Sequence, residues 1–139
     1  AGLLWFAFKY SPQTKNLVGL TVLAALAVGC LQALAIFPGA SRSGMAITGA
    51  LLIGLNLKES SKFAFLLSIP TILGALILMI LKDSLVLTVD DLMILLTGFM
   101  GAAVIAFLTI KVFLQFVERI GMTPFVIYRL LLGLALLLL

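Results

Sequence analysis

The chain has 139 residues, 64% hydrophobic and 10% charged, with a net charge of +4. That balance excludes a soluble globular domain, and apolar runs recurring from end to end exclude a single signal peptide or lone anchor. There is no histidine, and Cys30 has no mate. Disulfides, thiolate metal sites and the commonest general base are thereby removed, and the scattered lysines give nucleic acid no footing, so lipid is the expected neighbour.

In chain order, the first segment reaches about Tyr10 and ends in the polar turn Lys9-Tyr10-Ser11-Pro12-Gln13-Thr14-Lys15-Asn16. The chain opens on Ala1 and enters directly into Leu3-Leu4-Trp5-Phe6, which predicts a helix begun upstream in a longer protein. The second segment is read as one helix from about Leu17 to Phe37, stopped by Pro38-Gly39. The third, Ser43 to about Leu55, is about a dozen residues, short of the roughly 20 that span a bilayer, and is expected to be re-entrant. Asn56-Leu57-Lys58-Glu59 has the residue types of a capping box and starts a fourth helix, running to Lys82 with a kink expected at Ser68-Ile69-Pro70.

Thr88 is expected to cap the fifth helix, with Asp90 and Asp91 in its first turn and Gly121 as its stop. The sixth is expected to be capped by Thr123, with Pro124 at its first position, and to reach Leu139. Small residues four apart, Ala46, Ala50, Gly54 and Gly98, Ala102, Ala106, predict close helix packing. Asp83, Asp90 and Asp91 read as a solvated loop rather than a cation site. Glu118-Arg119 reads as a helix end, and Trp5, Tyr10 and Tyr128 as interfacial or packing aromatics. The expected fold is an all-α, polytopic helical membrane protein with one domain over residues 1–139 and a re-entrant helix pair.

Chemistry concentrates in Pro38-Gly39-Ala40-Ser41-Arg42-Ser43-Gly44. A guanidinium near the bilayer interior costs about 2.5 to 3.5 kcal/mol on insertion scales, so Arg42 should face a wet cavity or an anion. Gly39 permits close backbone approach, the following helix start offers unpaired amides, and Arg42 can grip two phosphate oxygens at once. The plainer alternative is a turn whose serines cap a helix and whose arginine snorkels.

Phe37 to Gly44 resembles the Pro-Gly-x-Ser-Arg-Ser-Gly signature of undecaprenyl-diphosphate phosphatases, also known as bacitracin-resistance proteins. Phe63-Ala64-Phe65-Leu66-Leu67-Ser68-Ile69-Pro70 and Pro124-Phe125-Val126-Ile127-Tyr128-Arg129 with Gly133 agree. The resemblance implies the C-terminal half of an inverted-repeat enzyme of the bacterial cytoplasmic membrane, with its site open to the outer face. The implied reaction converts undecaprenyl diphosphate to the monophosphate carrier for peptidoglycan synthesis. It further implies catalytic roles for Ser41 and Arg42, and phosphate binding by Gly39, Ser43, Gly44 and Arg129. A divalent cation, Mg or Ca, is expected to be held mainly by carboxylates of the N-terminal half, with no metal ligand in this chain. The implied partners are the prenyl-diphosphate lipid, membrane lipid and the N-terminal half, with a homodimer open.

One departure is Ala46, which stands where the family signature has threonine; Thr48 lies about 200 degrees further round a helix and cannot take that position. Arg129 also admits a structural reading, as a residue pairing with a helix-end carbonyl. The rival functions are a membrane transporter or flippase of an anionic lipid, and a catalytically impaired homologue; this chain alone is expected to be inactive.

Overall fold

Helix starts and stops follow local chemistry in a computed structural model that describes residues 2–82 and 89–138, without the side chains of residues 89 and 90. Helix α1, Gly2–Tyr10, ends where Gln13 Nε2 donates to the Phe8 carbonyl at 2.6 Å. Helix α2, Val22–Ala33, begins where the Thr21 hydroxyl accepts from the Ala24 amide at 3.3 Å. Helix α3 spans Arg42–Leu52, α4 Leu57–Lys82, α5 Val89–Ile120 and α6 Thr123–Leu138. The described residues are helical throughout, apart from turns and one parallel bridge between Lys15 and Leu55.

Three boundaries correct the sequence reading. The apolar run 17–37 is not one helix: 3-10 turns, Leu17–Gly19 and Leu34–Ile36, flank the twelve residues of α2. The third helix starts at Arg42, not Ser43, because Ser41 is its N-cap, and it ends at Leu52. The last starts at Thr123 itself, with the Val126 amide bonded to the Met122 carbonyl at 3.2 Å, so Pro124 is its second residue. The cap assigned to Thr88 and the loop position of Asp83 lie outside the described residues.

Asn56 caps α4, its Oδ1 accepting from the Glu59 amide at 2.9 Å. The reciprocal half of the capping box is not made: the Asn56 amide donates to the Lys15 carbonyl at 3.1 Å, and the Glu59 carboxylate pairs with Lys62 at 2.6 Å. Helix α4 runs unbroken through Pro70. Around this proline the Ser68 and Thr71 hydroxyls donate to the Phe65 and Leu67 carbonyls, at 2.6 and 2.7 Å.

Helix α3 is the centre of the bundle. Every residue from Ala46 to Leu51 is buried, and Ala46, Ile47 and Leu51 pack with Ala7 of α1, Leu57 and Ala64 of α4, Val117 of α5 and Met122. Small residues make this possible. A Cβ on Gly49 would stand 3.2 Å from side-chain atoms of Val28 and Leu31, so α2 lies against α3 with no room for a methyl group. In a lipid solvent such close packing, rather than water exclusion, holds helices together. The buried hydroxyls are satisfied: Ser61 donates to the Leu57 carbonyl at 2.9 Å and Thr48 to the Gly44 carbonyl at 2.6 Å. Among the described residues nothing packs on the expected Gly98, Ala102, Ala106 stripe; all three are exposed.

Helices α4 and α5 are long and apolar enough to cross a membrane. At about 1.5 Å per residue, their 26 and 32 residues extend past a hydrocarbon core of roughly 30 Å. Their outward leucines, isoleucines and phenylalanines are exposed over most of both lengths, as a lipid-facing surface requires. Lys58 at the start of α4 pairs with Glu118 at the end of α5 at 2.7 Å, so the two run antiparallel. These features fit a membrane protein.

The α2–α3 hairpin is clasped at its base. The Lys15 amide donates to the Gly54 carbonyl at 2.9 Å, the Asn56 amide donates to the Lys15 carbonyl at 3.1 Å, and the Asn56 and Asn16 side chains meet at 3.0 Å. Its tip is the turn Phe37 to Ser41, closed by the Ala40 amide on the Phe37 carbonyl at 3.1 Å.

Candidate active site

At the hairpin tip the sequence dictates an abrupt turn into a helix. Pro38 cannot donate to a preceding carbonyl, and Gly39 adopts a φ of 85°, the left-handed region that side chains disfavour. Ser41 is extended and accepts twice: its Oγ takes the Gly44 amide at 3.2 Å and its carbonyl takes the Met45 amide at 2.9 Å. A Cβ on Gly44 would sit 3.2 Å from Ser41 Cβ and 3.3 Å from its Oγ, so this glycine leaves the hydroxyl its place.

Those bonds decide what the tip can do. The Arg42 and Ser43 amides are the first two of α3 and have no helical acceptor. The Ser41 oxygen already accepts a bond, so its own O–H hydrogen is free to donate. Two amides, one hydroxyl hydrogen and the positive end of the helix dipole form a set of donors suited to phosphate oxygens.

The structure splits the expected site residues between two sides of α3. Gly39, Ser41, Gly44 and Arg129 line one cavity of about 400 Å³. Its remaining wall is largely apolar, including Phe113 and Phe125, whose ring centroids lie 5.9 Å apart. Arg42 and Ser43 line a separate groove of about 160 Å³ between α3 and α4, with Gln32, Ser68 and Thr71. Among the described residues neither Arg42 nor Arg129 makes an ion pair; the two pairs found are Lys58 with Glu118 and Lys62 with Glu59.

Sequence reasoning missed Thr48, Gln32 and Thr71. Thr48 follows Ser41 by seven residues, two turns along the same helix face, and lines the Ser41 cavity. Ala46, at the position where the family signature has threonine, is fully buried in the core between helices. Gln32 and Thr71 come from other helices, and only the fold brings them to Arg42.

No carboxylate lines either cavity, and Glu59 is engaged with Lys62. A serine nucleophile needs a base within reach, and the described residues supply none to Ser41. They also gather no cluster of histidine, cysteine, aspartate or glutamate fit for a metal ion. The described residues therefore do not fit a divalent cation.

The family described as bacitracin resistance protein BacA matches residues 1–135. Proteins named undecaprenyl-diphosphatase are similar over nearly the whole chain. That of Saccharophagus degradans is 46% identical over 94% of this chain and 49% of its own length. That of Alcanivorax borkumensis is 46% identical over 97% and 51%, and that of Alteromonas mediterranea 45% identical over the same shares. The chain thus spans about half the length of the curated relatives it matches.

Proposed function

Because the chain belongs to the bacitracin resistance protein BacA family, we propose that the complete protein containing it hydrolyses undecaprenyl diphosphate to undecaprenyl phosphate and inorganic phosphate. The product would be the lipid carrier of peptidoglycan synthesis. The observation that carries this reading is the donor set at the start of α3: the free Ser41 hydroxyl hydrogen and the Arg42 and Ser43 amides, at the tip of a hairpin lodged among apolar helices. Such a site can hold a phosphate beside a hydrocarbon chain.

In the proposed reaction water attacks the terminal phosphorus. The bond to the bridging oxygen breaks, and that oxygen leaves on the lipid monophosphate. Charge grows on the bridging oxygen and spreads over the three equatorial oxygens, where fixed donors act most strongly. Ser41 serves as a donor to phosphate rather than as nucleophile, and Arg42 supplies the charge-bearing fork. Gly39 and Gly44 hold the turn open for close approach. Arg129 lies in the cavity that also holds Ser41, on the opposite side from Arg42, and is assigned to the lipid-linked phosphate. A divalent ion, Mg or Ca, and the base that activates water are assigned to residues beyond those described, so this chain alone should be inactive.

The ends of α4 and α5 also carry an argument about orientation. Lys58, Lys62 and Arg119 gather at the paired end, joined through the hairpin base by Lys15, whereas Lys82 is the one basic residue described at the far end of α4. By the positive-inside rule the paired end is cytoplasmic. The eleven residues of α3 then carry its start about 16 Å away from that face, toward the outer side of a bacterial inner membrane. Both hairpin helices are too short to cross, which supports a re-entrant pair.

The test is phosphate release from a long-chain prenyl diphosphate by the complete protein in detergent, with product lipid identified by mass spectrometry. Release of one phosphate per lipid supports the reading. Movement of intact lipid diphosphate across proteoliposomes without hydrolysis would replace it with a transporter.

A further inference from the structure

The groove that holds Arg42 is lined by polar groups from two neighbouring helices: Gln32 of α2, and Ser68 and Thr71 of α4. The two hydroxyls have no hydrogen left for an anion. Ser68 spends its only hydroxyl hydrogen on the Phe65 carbonyl at 2.6 Å, and Thr71 spends its own on the Leu67 carbonyl at 2.7 Å. What each oxygen has left for the groove is lone pairs, which repel phosphate and attract a guanidinium. Pro70 lies between them, and both hydroxyls are held in place by the backbone of this turn of α4.

Arg42 has the complementary need. Its guanidinium has five donors and no acceptor, and among the described residues no hydrogen bond or ion pair engages it. Ala64 and Ile72 complete the groove, so the polar residues that line it beside Arg42 are Gln32, Ser43, Ser68 and Thr71. The geometry points to Ser68 and Thr71, with Gln32, as positioning residues that hold one edge of the Arg42 fork and leave the other for phosphate. For its effect on rate this inference rests on the phosphatase reading; for the state of Arg42 it does not.

The test uses the complete protein with Ser68→Ala, Thr71→Val and Thr71→Ser, each alone and combined with Arg42→Lys. Valine keeps the shape of threonine and removes the hydroxyl; serine restores it. Ser68→Ala and Thr71→Val should each lower kcat roughly tenfold with KM within about twofold, a loss of the size that misplacing a catalytic group causes. In the Arg42→Lys background the same changes should alter the rate less than about twofold, because they act through the arginine. Thr71→Ser should stay close to the parent. A second readout needs no activity: phenylglyoxal labelling of Arg42, followed by mass spectrometry, should speed up several-fold in Thr71→Val and Ser68→Ala.

Parental kcat in folded Thr71→Val and Ser68→Ala, losses that multiply undiminished onto that of Arg42→Lys, or unchanged labelling of Arg42 would each overturn the inference. An inactive parent whose Arg42 labelling still responds to Thr71→Val would overturn the phosphatase reading and leave the positioning of Arg42 standing.

Discussion

Ser41 and Arg42 are adjacent in sequence, yet α3 turns them to different sides, Ser41 into the cavity of Arg129 and Arg42 into the groove of Gln32. The cause is the position of the helix start: Ser41 is the extended N-cap and Arg42 the first helical residue. Arg42→Lys keeps the charge and removes the planar fork. Turnover should fall roughly 100- to 1,000-fold, as for loss of a preorganised transition-state donor. Near-parental turnover in folded protein would show that Arg42 only snorkels.

Ser41 has two separable duties, capping α3 and donating to phosphate. Ser41→Ala should cost about 1 kcal/mol of stability, whereas glycine at a cap costs only a few tenths. Both changes remove the hydroxyl, so turnover should fall equally. If activity instead tracks thermal stability, with glycine near the parent, the hydroxyl is a cap and nothing more.

Gly39 has open space where a Cβ would stand, so its requirement is the φ of 85° alone. Gly39→Ala should therefore lower stability by about 1 to 2 kcal/mol through backbone strain. Asparagine, which tolerates this region better, should lose less. Equal melting temperatures for parent and alanine variant would contradict the turn geometry.

The Lys58–Glu118 pair is exposed, 39% and 54% at its two side chains. A double-mutant cycle with alanine should give a coupling of about 0 to 1 kcal/mol. A coupling above about 2 kcal/mol would mean that the paired helix ends are far drier than this arrangement allows.

The described residues offer a divalent ion no site. Chelation should abolish hydrolysis by the complete protein, and added Mg or Ca should restore it. This chain expressed alone should release no phosphate. Chelator-resistant turnover would remove the cation from the proposal.

What was legible in the sequence follows the range of each interaction. The Asn56 cap was readable because its donor, the Glu59 amide, is three residues away. Thr21 carried the same signal inside an unbroken apolar run, where hydropathy hid the change from 3-10 turn to α-helix. The Pro-Gly turn and the polar residues after it marked the candidate site, but a one-residue error in the helix start hid the divergence of Ser41 and Arg42. Thr48 stands two residues past Ala46 in sequence, but the residue it accompanies in the cavity is Ser41, two turns earlier. Gln32, Thr71 and the Lys58–Glu118 pair join separate helices, and no local pattern encodes which helices become neighbours.

The clasp at the hairpin base settles a question of parity. The chain leaves Lys15 and, some forty residues later, returns to Gly54 and Asn56 within hydrogen-bonding distance of its departure point. An excursion that ends where it began contributes an even number of passages, whatever its depth. The side on which α1 stops is therefore the side on which α4 starts, whether α2 and α3 are counted as two crossings or as none. A reporter fused after Tyr10 and one fused after Asn56 should respond from the same compartment, although two apolar helices separate them.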